Sequence, residues 1–323
     1  MKRSACLIFN PVAGNSNPEQ DLEKIRALLE PSIDLDIRLT TEEVDADRLA
    51  YEAIEQGVST LIAAGGDGTI SAVADALVGT NIPLGVISRG TANAFAAALG
   101  IPNTIEDACQ TILGGVERVV DAAFCNGKPM VLLAGIGFEA ETVEKTNRAA
   151  KARLGMVAYV MAGIQQLREL EKFEVEIETE DKLISVTASA ITIANAAPPT
   201  SILAQGPAGI IVDDGLLDLT VVAPANITGA IAASYHLLQT ALQGSRAQRD
   251  DIGYLRARRF KVTTNPPQKV VIDGEVIGTT PIEVECVAGG LTLLVPKVEE
   301  VDPPAAEKLE GLPNLTVESK PKD

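Results

Sequence analysis

Residues 60–70 read TLIAAGGDGTI, a short apolar run followed by a glycine-rich turn. The run at residues 60–64 predicts a buried strand, and the pattern from about Ile70 to Leu77 predicts a helix. Glycines allow positive φ and let a phosphate approach the backbone, while the N–H groups at a helix N-terminus supply partial positive charge. Residues 60–70 therefore predict a strand, an anion-binding turn and a helix, a typical unit of an α/β domain.

One carboxylate, that of Asp67, stands inside this turn. Negative charge in an anion site is repulsive unless a cation bridges the two groups, so Asp67 is best explained as a partner of nucleotide-bound magnesium. The alternative is a purely structural turn in which the aspartate caps the helix. The residues of the turn alone leave both interpretations open.

Short apolar runs and longer helical patterns alternate on both sides of this turn. We predict strands at residues 5–9, 35–39, 60–64 and 83–87, and helices at residues 18–30, 46–56, 70–77, 92–99 and 105–113. This alternation is typical of a parallel sheet covered by helices. Residues 1–121 are therefore predicted to form a nucleotide-binding α/β domain with a parallel sheet.

The chain changes character after residue 121 and becomes rich in strands. We predict these at residues 119–125, 129–136, 173–178, 183–194, 217–222, 260–264, 269–272, 282–286 and 291–295. Such a series favours an antiparallel β-sandwich domain at residues 122–297, with helical insertions at residues 139–171 and 227–242. Residues 298–323, rich in Glu, Pro and Lys, are predicted to be a disordered acidic tail.

Composition narrows the classes of function. The 323-residue chain is 46% hydrophobic with a formal net charge of −17, so we expect no nucleic-acid partner. The four cysteines lack metal-ligand and C-x-x-C spacing, which predicts reduced structural thiols, and the N-terminus lacks a signal-peptide core. We therefore expect a cytoplasmic protein. The single histidine, His236, lies in a mostly apolar helical segment and is predicted to be a packing or surface residue.

Two further loops follow strands of the predicted parallel sheet. Residues 10–14 (NPVAG) follow the first strand, and residues 85–93 (GVISRGTAN) contain the end of the fourth strand and the loop after it. Each alone could be an ordinary strand-to-helix turn, since Asn, Pro and Gly are common turn residues. Ligands bind at the carboxyl ends of strands in open α/β sheets, so the loops together with residues 65–69 outline one phosphate-binding surface.

These motifs, F-N-P-x-x-G at residues 9–14, G-G-D-G-T at 65–69 and G-T-A-N-x-F-A at 90–96, resemble the diacylglycerol-kinase catalytic domain. Residues 135–138, 212–218 and 272–275 resemble signatures of the second domain of that family, so the resemblance covers about residues 4–296. It points to soluble bacterial lipid kinases. It implies an α/β domain similar to those of NAD kinases and phosphofructokinases, followed by an antiparallel β-sandwich.

The resemblance implies a set of functional residues. Those implied to bind ATP are Asn10, Pro11, Gly14, Thr41, Gly65, Gly66, Gly68, Thr69, Ser71, Gly90, Thr91 and Asn93. Asp67 is implied to take part in catalysis, and Glu275 is implied to be the general base that accepts the proton of a substrate hydroxyl. The Asp214 carboxylate and the backbone carbonyl groups of Ile211 and Leu216 are implied to hold magnesium.

Structural alternatives remain for the two acidic segments of the second domain. Residues 273–275 (DGE) can be a plain hairpin turn, and residues 213–215 (DDG) can be a β-turn with outward carboxylates. Asp218 could assist the metal through water or orient the loop. Only the family resemblance favours the functional interpretation of these segments.

The sequence departs from the family pattern beside the nucleotide loops. Ser71, Ala72, Ser88 and Ala94 stand where many relatives have Asn, Glu, Pro and Asp. We expect these departures to affect nucleotide affinity and substrate identity rather than the fold. Arg89 is an additional cation that could contact phosphate or could be exposed to solvent.

The function implied by the resemblance is ATP- and magnesium-dependent transfer of a phosphoryl group to the hydroxyl of diacylglycerol or a related lipid. Its substrate would be met at a membrane surface, through peripheral and transient contact. A homodimer is compatible with this function. The alternatives are a kinase of a soluble substrate such as NAD and a non-enzymatic lipid- or nucleotide-binding protein. The identity of the lipid cannot be predicted, because it depends on the shape of an apolar cleft.

Overall fold

The structure is a computed structural model that describes residues 3–137, 171–198, 201–206, 209–243, 245–297 and 306–320. The chain divides into two compact units. The first unit comprises Met1–Ala122 and Val287–Val301, and the second comprises Ala123–Cys286 and Asp302–Asp323. Among the described residues, no helix is long and apolar enough to cross a membrane.

The first unit begins with alternating strands and helices. Its strands are β1 (Arg3–Phe9), β2 (Ile33–Leu39), β3 (Leu61–Gly65) and β4 (Leu84–Ser88), and its helices are α1 (Pro18–Leu29), α2 (Ala46–Glu55), α3 (Asp67–Leu77), α4 (Ala94–Ala98) and α5 (Ile105–Gly114). β1 pairs in parallel with β2 and β3, and β3 pairs in parallel with β4. The predicted parallel sheet is confirmed.

The strand order determines where the loops after β1 and β3 lie, at the carboxyl-terminal end of this sheet. The order is β2-β1-β3-β4, so the chain leaves β1 toward one side of the sheet and enters β3 on the other side. Every residue of β3 and β4 is buried, as expected for central strands covered on both faces. The carboxyl ends of β1 and β3 therefore form the switch point at which ligands bind in such sheets.

The second unit is built from antiparallel strands. These are β5 (Val116–Cys125, shared with the first unit), β6 (Lys128–Met130), β7 (Leu133–Gly137), β8 (Phe173–Glu178), β9 (Lys182–Ala188), β10 (Ala190–Ala194), β11 (Leu217–Val222), β12 (Ile252–Ala257), β13 (Arg259–Asn265), β14 (Lys269–Ile272), β15 (Glu275–Thr279), β16 (Ile282–Val295, shared likewise) and β17 (Thr316–Ser319). One sheet has the order β12-β11-β10-β7-β14-β15, and the other runs from β17 through β9, β8 and β13 to β16. The unit also contains α6 (Ile227–Gln243) and a 3-10 helix (Ile202–Ala204).

Side chains from both sheets share an apolar core in the second unit. The burial of β13 alternates between exposed and buried residues, which is typical of a strand with one face on a core. Phe260 and Val262 of this strand share the core with Ile136 and Leu219 of the other sheet. The predicted antiparallel β-sandwich is confirmed.

The end of the chain differs from the prediction of a disordered tail at residues 298–323. β17 pairs antiparallel with β9, with Val317 opposite Ile184. Lys308 and Tyr254 exchange backbone hydrogen bonds of 2.7 and 2.6 Å, and Leu312 is buried in the core of the second unit. The prediction was wrong for residues 306–320, because a few apolar side chains and an available strand edge outweigh the polar composition.

Several element boundaries also differ from the predicted ones. The predicted strands at residues 129–136 and 183–194 are each two strands, and β12, β15 and β17 have no predicted counterpart. Residues 287–297 belong to the first unit, because Leu293 pairs in parallel with Leu84 and Leu294 joins the core of that unit. The helix predicted at residues 227–242 is present, whereas the insertion predicted at residues 139–171 lies outside the described residues except for residue 171.

Candidate functional site

The loops after β1 and β3 are joined by direct hydrogen bonds. Asn10 donates its backbone N–H to the Ala64 carbonyl at 2.9 Å, and its side-chain amide donates to Thr69 Oγ1 at 2.8 Å. Gly65 lies against the same threonine, because a Cβ at position 65 would lie 2.6 Å from the Thr69 Cβ. Two motifs that are far apart in the sequence therefore form one surface.

The loop after β4 approaches both of these loops through glycine backbone. Gly14 has φ +77° and lies so close to the Arg89 carbonyl oxygen that an added Cβ would be 1.9 Å from it. A Cβ on Gly90 would likewise lie 2.9 Å from the Gly66 Cα. Glycine at these positions is required by the close approach of the three loops.

The Arg89 side chain joins the loop after β4 to β1, to the loop after β1 and to α1. Its guanidinium donates to the Asn10 carbonyl at 2.6 Å and to Asp21 Oδ2 at 2.9 Å, and it stacks 4.3 Å from the centroid of the Phe9 ring. The Nη2 atom also lies 2.9 Å from Asp21 Oδ2, although without the alignment of a hydrogen bond. The side chain is only 1% exposed, so the alternative of a solvent-exposed Arg89 was wrong.

Asp67 occupies the first position of α3. Its Oδ1 accepts a 3.1 Å hydrogen bond from the backbone N–H of Phe95, near the start of α4. In the part of the chain that the structure describes, no hydrogen bond reaches its Oδ2. Asp67 thus binds the first turn of the neighbouring helix α4 with one carboxylate oxygen and does not cap its own helix, α3.

The N-terminus of α3 itself has no side-chain cap. Gly66 is the N-cap residue and supplies no acceptor for the first amides of the helix. A phosphate group is a natural acceptor for such amides, because they point out of the helix and carry partial positive charge. Gly68 is exposed on the first turn, next to these donors.

The remaining residues predicted to bind ATP are spread around these loops. Thr41 follows β2, where its Oγ1 accepts the N–H of Val44 at 3.1 Å, and the neighbouring Thr40 donates to the Phe9 carbonyl at 3.0 Å. Pro11 is half-buried in the loop after β1, and Thr91 is exposed after β4. The β2 end thus lies beside the β1 end, as the prediction for Thr41 requires.

Ser71 and Asn93 are more enclosed. Ser71 is buried within α3, with no hydrogen-bond partner for its Oγ among the described residues. Asn93 is the N-cap of α4 and has a left-handed backbone with φ 50°. Ser88, at the end of β4, is also buried with its Oγ unpartnered within the described chain. These polar atoms lie beside the three loops.

A cavity of about 450 Å³ opens beside the loops after β1 and β4. Its walls include Gly14, Gly90 and Thr91 as well as Asp21 and Lys24 of α1 and Glu106 of α5. Lys24 and Glu106 form an ion pair across the cavity wall. The sequence analysis missed these α1 and α5 residues, because no local motif links two helices that are distant in the chain.

In the second unit, residues 273–275 form the turn between β14 and β15. Asp273 and Gly274 have φ of 48° and 93°, and they connect the paired residues Ile272 and Glu275. Positive φ at both central residues is the requirement of a two-residue type I′ hairpin. Glu275 is exposed at the start of β15.

The Asp273 carboxylate fixes this turn to the neighbouring strand. It accepts hydrogen bonds from the backbone N–H groups of Val131, Leu132 and Leu133 at 2.8, 3.0 and 2.8 Å. In return, the Asp273 N–H donates to the Leu133 carbonyl at 3.0 Å. The hairpin interpretation is therefore correct for Asp273. Its hydrogen bonds anchor the backbone next to Glu275.

The acidic segment at residues 213–218 surrounds an arginine. Arg256 donates from Nε to Asp218 Oδ1 at 3.0 Å and from Nη2 to Asp214 Oδ2. Burial raises the pKa of the Asp218 carboxyl to about 7, although Arg256 acts in the opposite direction. Within the described residues, no group of three or more His, Cys, Asp or Glu side chains could hold a metal ion.

His236 has a structural partner. Its Nε2 accepts a 3.1 Å hydrogen bond from the backbone N–H of Gln248, and its side chain is half-buried on α6. This geometry agrees with the predicted packing or surface role.

Two family models match consecutive parts of the chain. The model described as the diacylglycerol kinase catalytic domain matches residues 4–125, and the model described as the YegS C-terminal NAD kinase beta sandwich-like domain matches residues 133–295. The chain belongs to the diacylglycerol kinase and YegS-like lipid kinase family.

Individual relatives agree with this membership. The diacylglycerol kinase of Bacillus subtilis is 33% identical over 310 residues, which cover 94% of this chain and 100% of that protein. An uncharacterized protein of Synechocystis sp. is 50% identical over 301 residues, covering 90% of this chain and 70% of that protein. The crystal structure of a diacylglycerol kinase from Bacillus anthracis has a TM-score of 0.70 at 25% identity and covers 91% of this chain and 97% of its own.

Ser88 and Ala94 depart from the pattern of the lipid kinase family, and Arg89 lies between them in the chain. Ser88 and Arg89 are both buried where the β4 loop meets Gly14 and Asn10. Ala94 begins α4, next to the Phe95 N–H that Asp67 accepts. Arg89 thus links the loop after β4 to the loop after β1, and Asp67 links α3 to α4.

Proposed function

We propose that this chain is an ATP- and magnesium-dependent lipid kinase that transfers the γ-phosphoryl group of ATP to a lipid hydroxyl. The supporting observation is the convergence of three glycine-containing loops at the carboxyl ends of β1, β3 and β4, beside the uncapped N-terminus of α3. This arrangement offers backbone donors and positive partial charge to phosphate groups. It occurs in a chain of a lipid kinase family.

In this proposal, the chain binds the nucleotide mainly with its backbone. The amides after Gly66 would donate to phosphate oxygens, and Asn10 and Thr69 would keep the first two loops in register. The Asp67 Oδ2 atom would contact the magnesium ion of Mg-ATP, which takes most of its other ligands from phosphates and water. Magnesium, when bound, neutralises charge on the phosphates. Gly65, Gly68, Gly90, Thr91, Asn93, Ser71, Thr41 and Pro11 complete the proposed nucleotide site.

Glu275 is proposed to be the general base. A carboxylate that accepts the proton of the substrate hydroxyl makes that hydroxyl a better nucleophile, and a base typically contributes about 10²–10⁴-fold to the rate. Exposure of Glu275 at a rigid hairpin agrees with such a role, because the side chain can reach a substrate from a fixed backbone. Ile211, Asp214 and Leu216 have no part in this proposal, because Arg256 already contacts Asp214.

The acceptor is proposed to be a lipid met at a membrane surface through peripheral contact. A kinase of a soluble substrate such as NAD would use a similar nucleotide loop, and a binding protein could keep the loop without turnover. Family membership favours the lipid over both alternatives. The presence of Glu275 beside an otherwise structural turn also favours an enzyme, because binding alone needs no base.

A single assay separates the three possibilities. Labelled ATP is incubated with the protein and either a total lipid extract or NAD, with magnesium or with EDTA, and the product is identified by mass. We expect label in lipid only, and only with magnesium. Label in NAD would favour the soluble-substrate kinase, and ATP binding without any labelled product would favour the binding protein.

Two variants report on the proposed roles in this assay. Asp67→Asn keeps an acceptor oxygen for the Phe95 N–H but removes the charge for magnesium, so we expect lost turnover with an unchanged melting temperature. Glu275→Gln keeps shape but removes basicity, so we expect kcat to fall by about 10²–10⁴-fold with an unchanged Kd for ATP. Full activity of either variant would contradict the role proposed for that residue.

A further inference from the structure

Arg256 occupies the centre of the acidic segment in the second unit. It lies on β12 directly opposite Asp218 of β11. Its Nε donates to Asp218 Oδ1 at 3.0 Å, while its Nη2 donates to Asp214 Oδ2. The Arg256 and Asp218 side chains are only 6% and 3% exposed, so this cation and this carboxylate are withdrawn from water together.

Both carboxylate oxygens of Asp214 are already engaged. Oδ1 accepts the N–H of Leu216 at 3.2 Å across a turn in which Gly215 has φ +76°, and Oδ2 accepts Arg256. Magnesium requires oxygen ligands at about 2.0–2.1 Å in near-octahedral geometry and loses its water reluctantly. A magnesium ion at Asp214 would have to displace the guanidinium or sit beside another cation. Because the guanidinium already places a positive charge between Asp214 and Asp218, these two carboxylates do not fit the magnesium ion that the family resemblance implies.

We propose that Arg256 is the resident cation of the 211–218 loop and that this loop keeps its conformation without a divalent metal. The guanidinium supplies two donors in a fixed fork, which suits two carboxylates that approach from a turn and from the adjacent strand. The positive charge is covalently attached, so the loop is formed at any magnesium concentration. This inference does not rest on the lipid kinase proposal, because it concerns the shape and stability of the second unit.

The wild-type protein provides the first test. Thermal unfolding is measured without nucleotide, with excess magnesium or with EDTA, for wild type and for Asp214→Asn. An ion bound only by the folded state would raise the melting temperature, because it adds RT ln(1 + [L]/Kd) to the free energy of unfolding. We expect no magnesium-induced rise that depends on Asp214. A rise of several degrees in wild type that disappears in Asp214→Asn would overturn the proposal.

The second test removes the arginine. Arg256→Met keeps much of the aliphatic bulk but leaves the buried Asp218 carboxylate without its cation, so we expect a melting temperature lower by roughly 5–10 °C. Magnesium should restore part of this loss, because two adjacent carboxylates without a guanidinium form an oxygen site for a hard cation. Arg256→Lys keeps the charge and should lose less than Arg256→Met.

Arg259→Met is the matched control. Arg259 pairs with Glu283 at 2.8 Å on the next strand, but both side chains are about half exposed, at 50% and 46%. An exposed pair contributes little to stability, so this variant should unfold close to wild type and should not respond to magnesium. If Arg256→Met is as stable as the control, Arg256 is not the cation that holds the loop. If Arg256→Met does not fold, the wild-type titration still decides the question.

Discussion

Gly14 shows how a single residue can define the proposed nucleotide site. Two separate properties exclude a side chain there, namely a backbone at φ +77° and the approach of the Arg89 carbonyl to 1.9 Å from a Cβ position. The first property costs about 1–2 kcal/mol for a residue other than glycine. Because of the second property, a side chain at position 14 would push the loops after β1 and β4 apart. The site therefore depends on Gly14 for more than local backbone freedom.

A comparison of Gly14→Ala with Gly57→Ala separates these effects. Gly57 has the same φ of +77°, but no atom of the described residues lies within 4 Å of its Cβ position. We expect Gly57→Ala to lower the free energy of unfolding by about 1–2 kcal/mol and to leave the Kd for ATP unchanged. Gly14→Ala should cost roughly 1–3 kcal/mol more and should weaken ATP binding at least about tenfold. Urea unfolding and nucleotide titration measure the two quantities, and equal Kd values in both variants would show that loop spacing does not control binding.

Arg89 shows that the sequence can identify a charged residue without predicting its partners or its burial. The glycine motifs predict which loops bind phosphate, because backbone freedom is a property of the residue itself. The partner of Arg89 is Asp21 on α1, and no local pattern links positions so far apart. Burial of the guanidinium against Phe9 depends on how α1 packs on the sheet. The prediction could name the cation but not its environment.

At the scale of elements, the β14–β15 hairpin assigns different roles to neighbouring acids. Asp273 lies at a positive-φ position and accepts the N–H groups of residues 131–133, whereas Glu275 begins an exposed strand. The β5–β6 turn has the same form, with Asn126 and Gly127 at φ of 49° and 77°. The fold thus accepts asparagine at this turn position. A charge-removing substitution at Asp273 therefore tests its hydrogen bonds rather than its backbone.

We expect Asp273→Asn to lower the free energy of unfolding by about 1–3 kcal/mol, because a carboxamide has one acceptor oxygen and cannot satisfy all three N–H groups. Glu275→Gln should change it by less than about 0.5 kcal/mol, as is usual for an exposed substitution. Asn126→Asp, the reverse exchange in the β5–β6 turn, is the control and should also be nearly neutral, because an oxygen remains for the Glu283 N–H. Chemical unfolding checks all three. A loss in Glu275→Gln equal to that in Asp273→Asn would make Glu275 a structural residue.

Elements with regular hydrophobic patterns could be predicted from the sequence, and others could not. β8, β11 and β14 have the predicted bounds, because apolar residues mark their buried faces and turn residues flank them. β15 and β17 are mostly exposed and lack such a pattern, so only pairing with β14 and β9 makes them strands. Local sequence carries little information about strands that are stabilised by their neighbours.

For the whole molecule, the order of the domains could be predicted from the sequence. The sequence did not reveal that the chain goes back into the first unit after the second one. Residues 287–297 follow a β-rich region and were assigned to the second domain, yet Leu293 pairs with β4 of the first unit. Such pairing joins residues far apart in sequence, which neither composition nor periodicity reveals. The candidate site has the same division. Motif residues were predicted, while the contact of Arg89 with Asp21 depends on the tertiary fold.

The reactivity of the four cysteines can be used to measure unfolding in both units. Cys6 and Cys109 lie in the first unit, Cys125 and Cys286 lie in the second, and all four are buried and outside any disulfide. Burial raises the pKa of Cys6 and Cys125 to about 11 and that of Cys109 to about 12. We expect the native protein to react with a thiol reagent at pH 8 only as it unfolds, and all four cysteines to react in denaturant.

The raised pKa values also predict a loss of stability at alkaline pH. A thiol whose folded-state pKa lies above its unfolded value of about 8.5 stabilises the fold fully below that value, and the contribution is lost as the pH rises toward the folded pKa. At pH 10 the loss for Cys109 should be about 2 kcal/mol, because its thiol ionises only in the unfolded chain. Cys109→Ala should therefore lose about 2 kcal/mol less than wild type between pH 8 and pH 10. Ile112→Val, in the same buried core and without a titrating group, is the control and should keep the wild-type slope. Rapid labelling of native thiols at pH 8, or a wild-type slope in Cys109→Ala, would contradict the burial of these thiols in the folded protein.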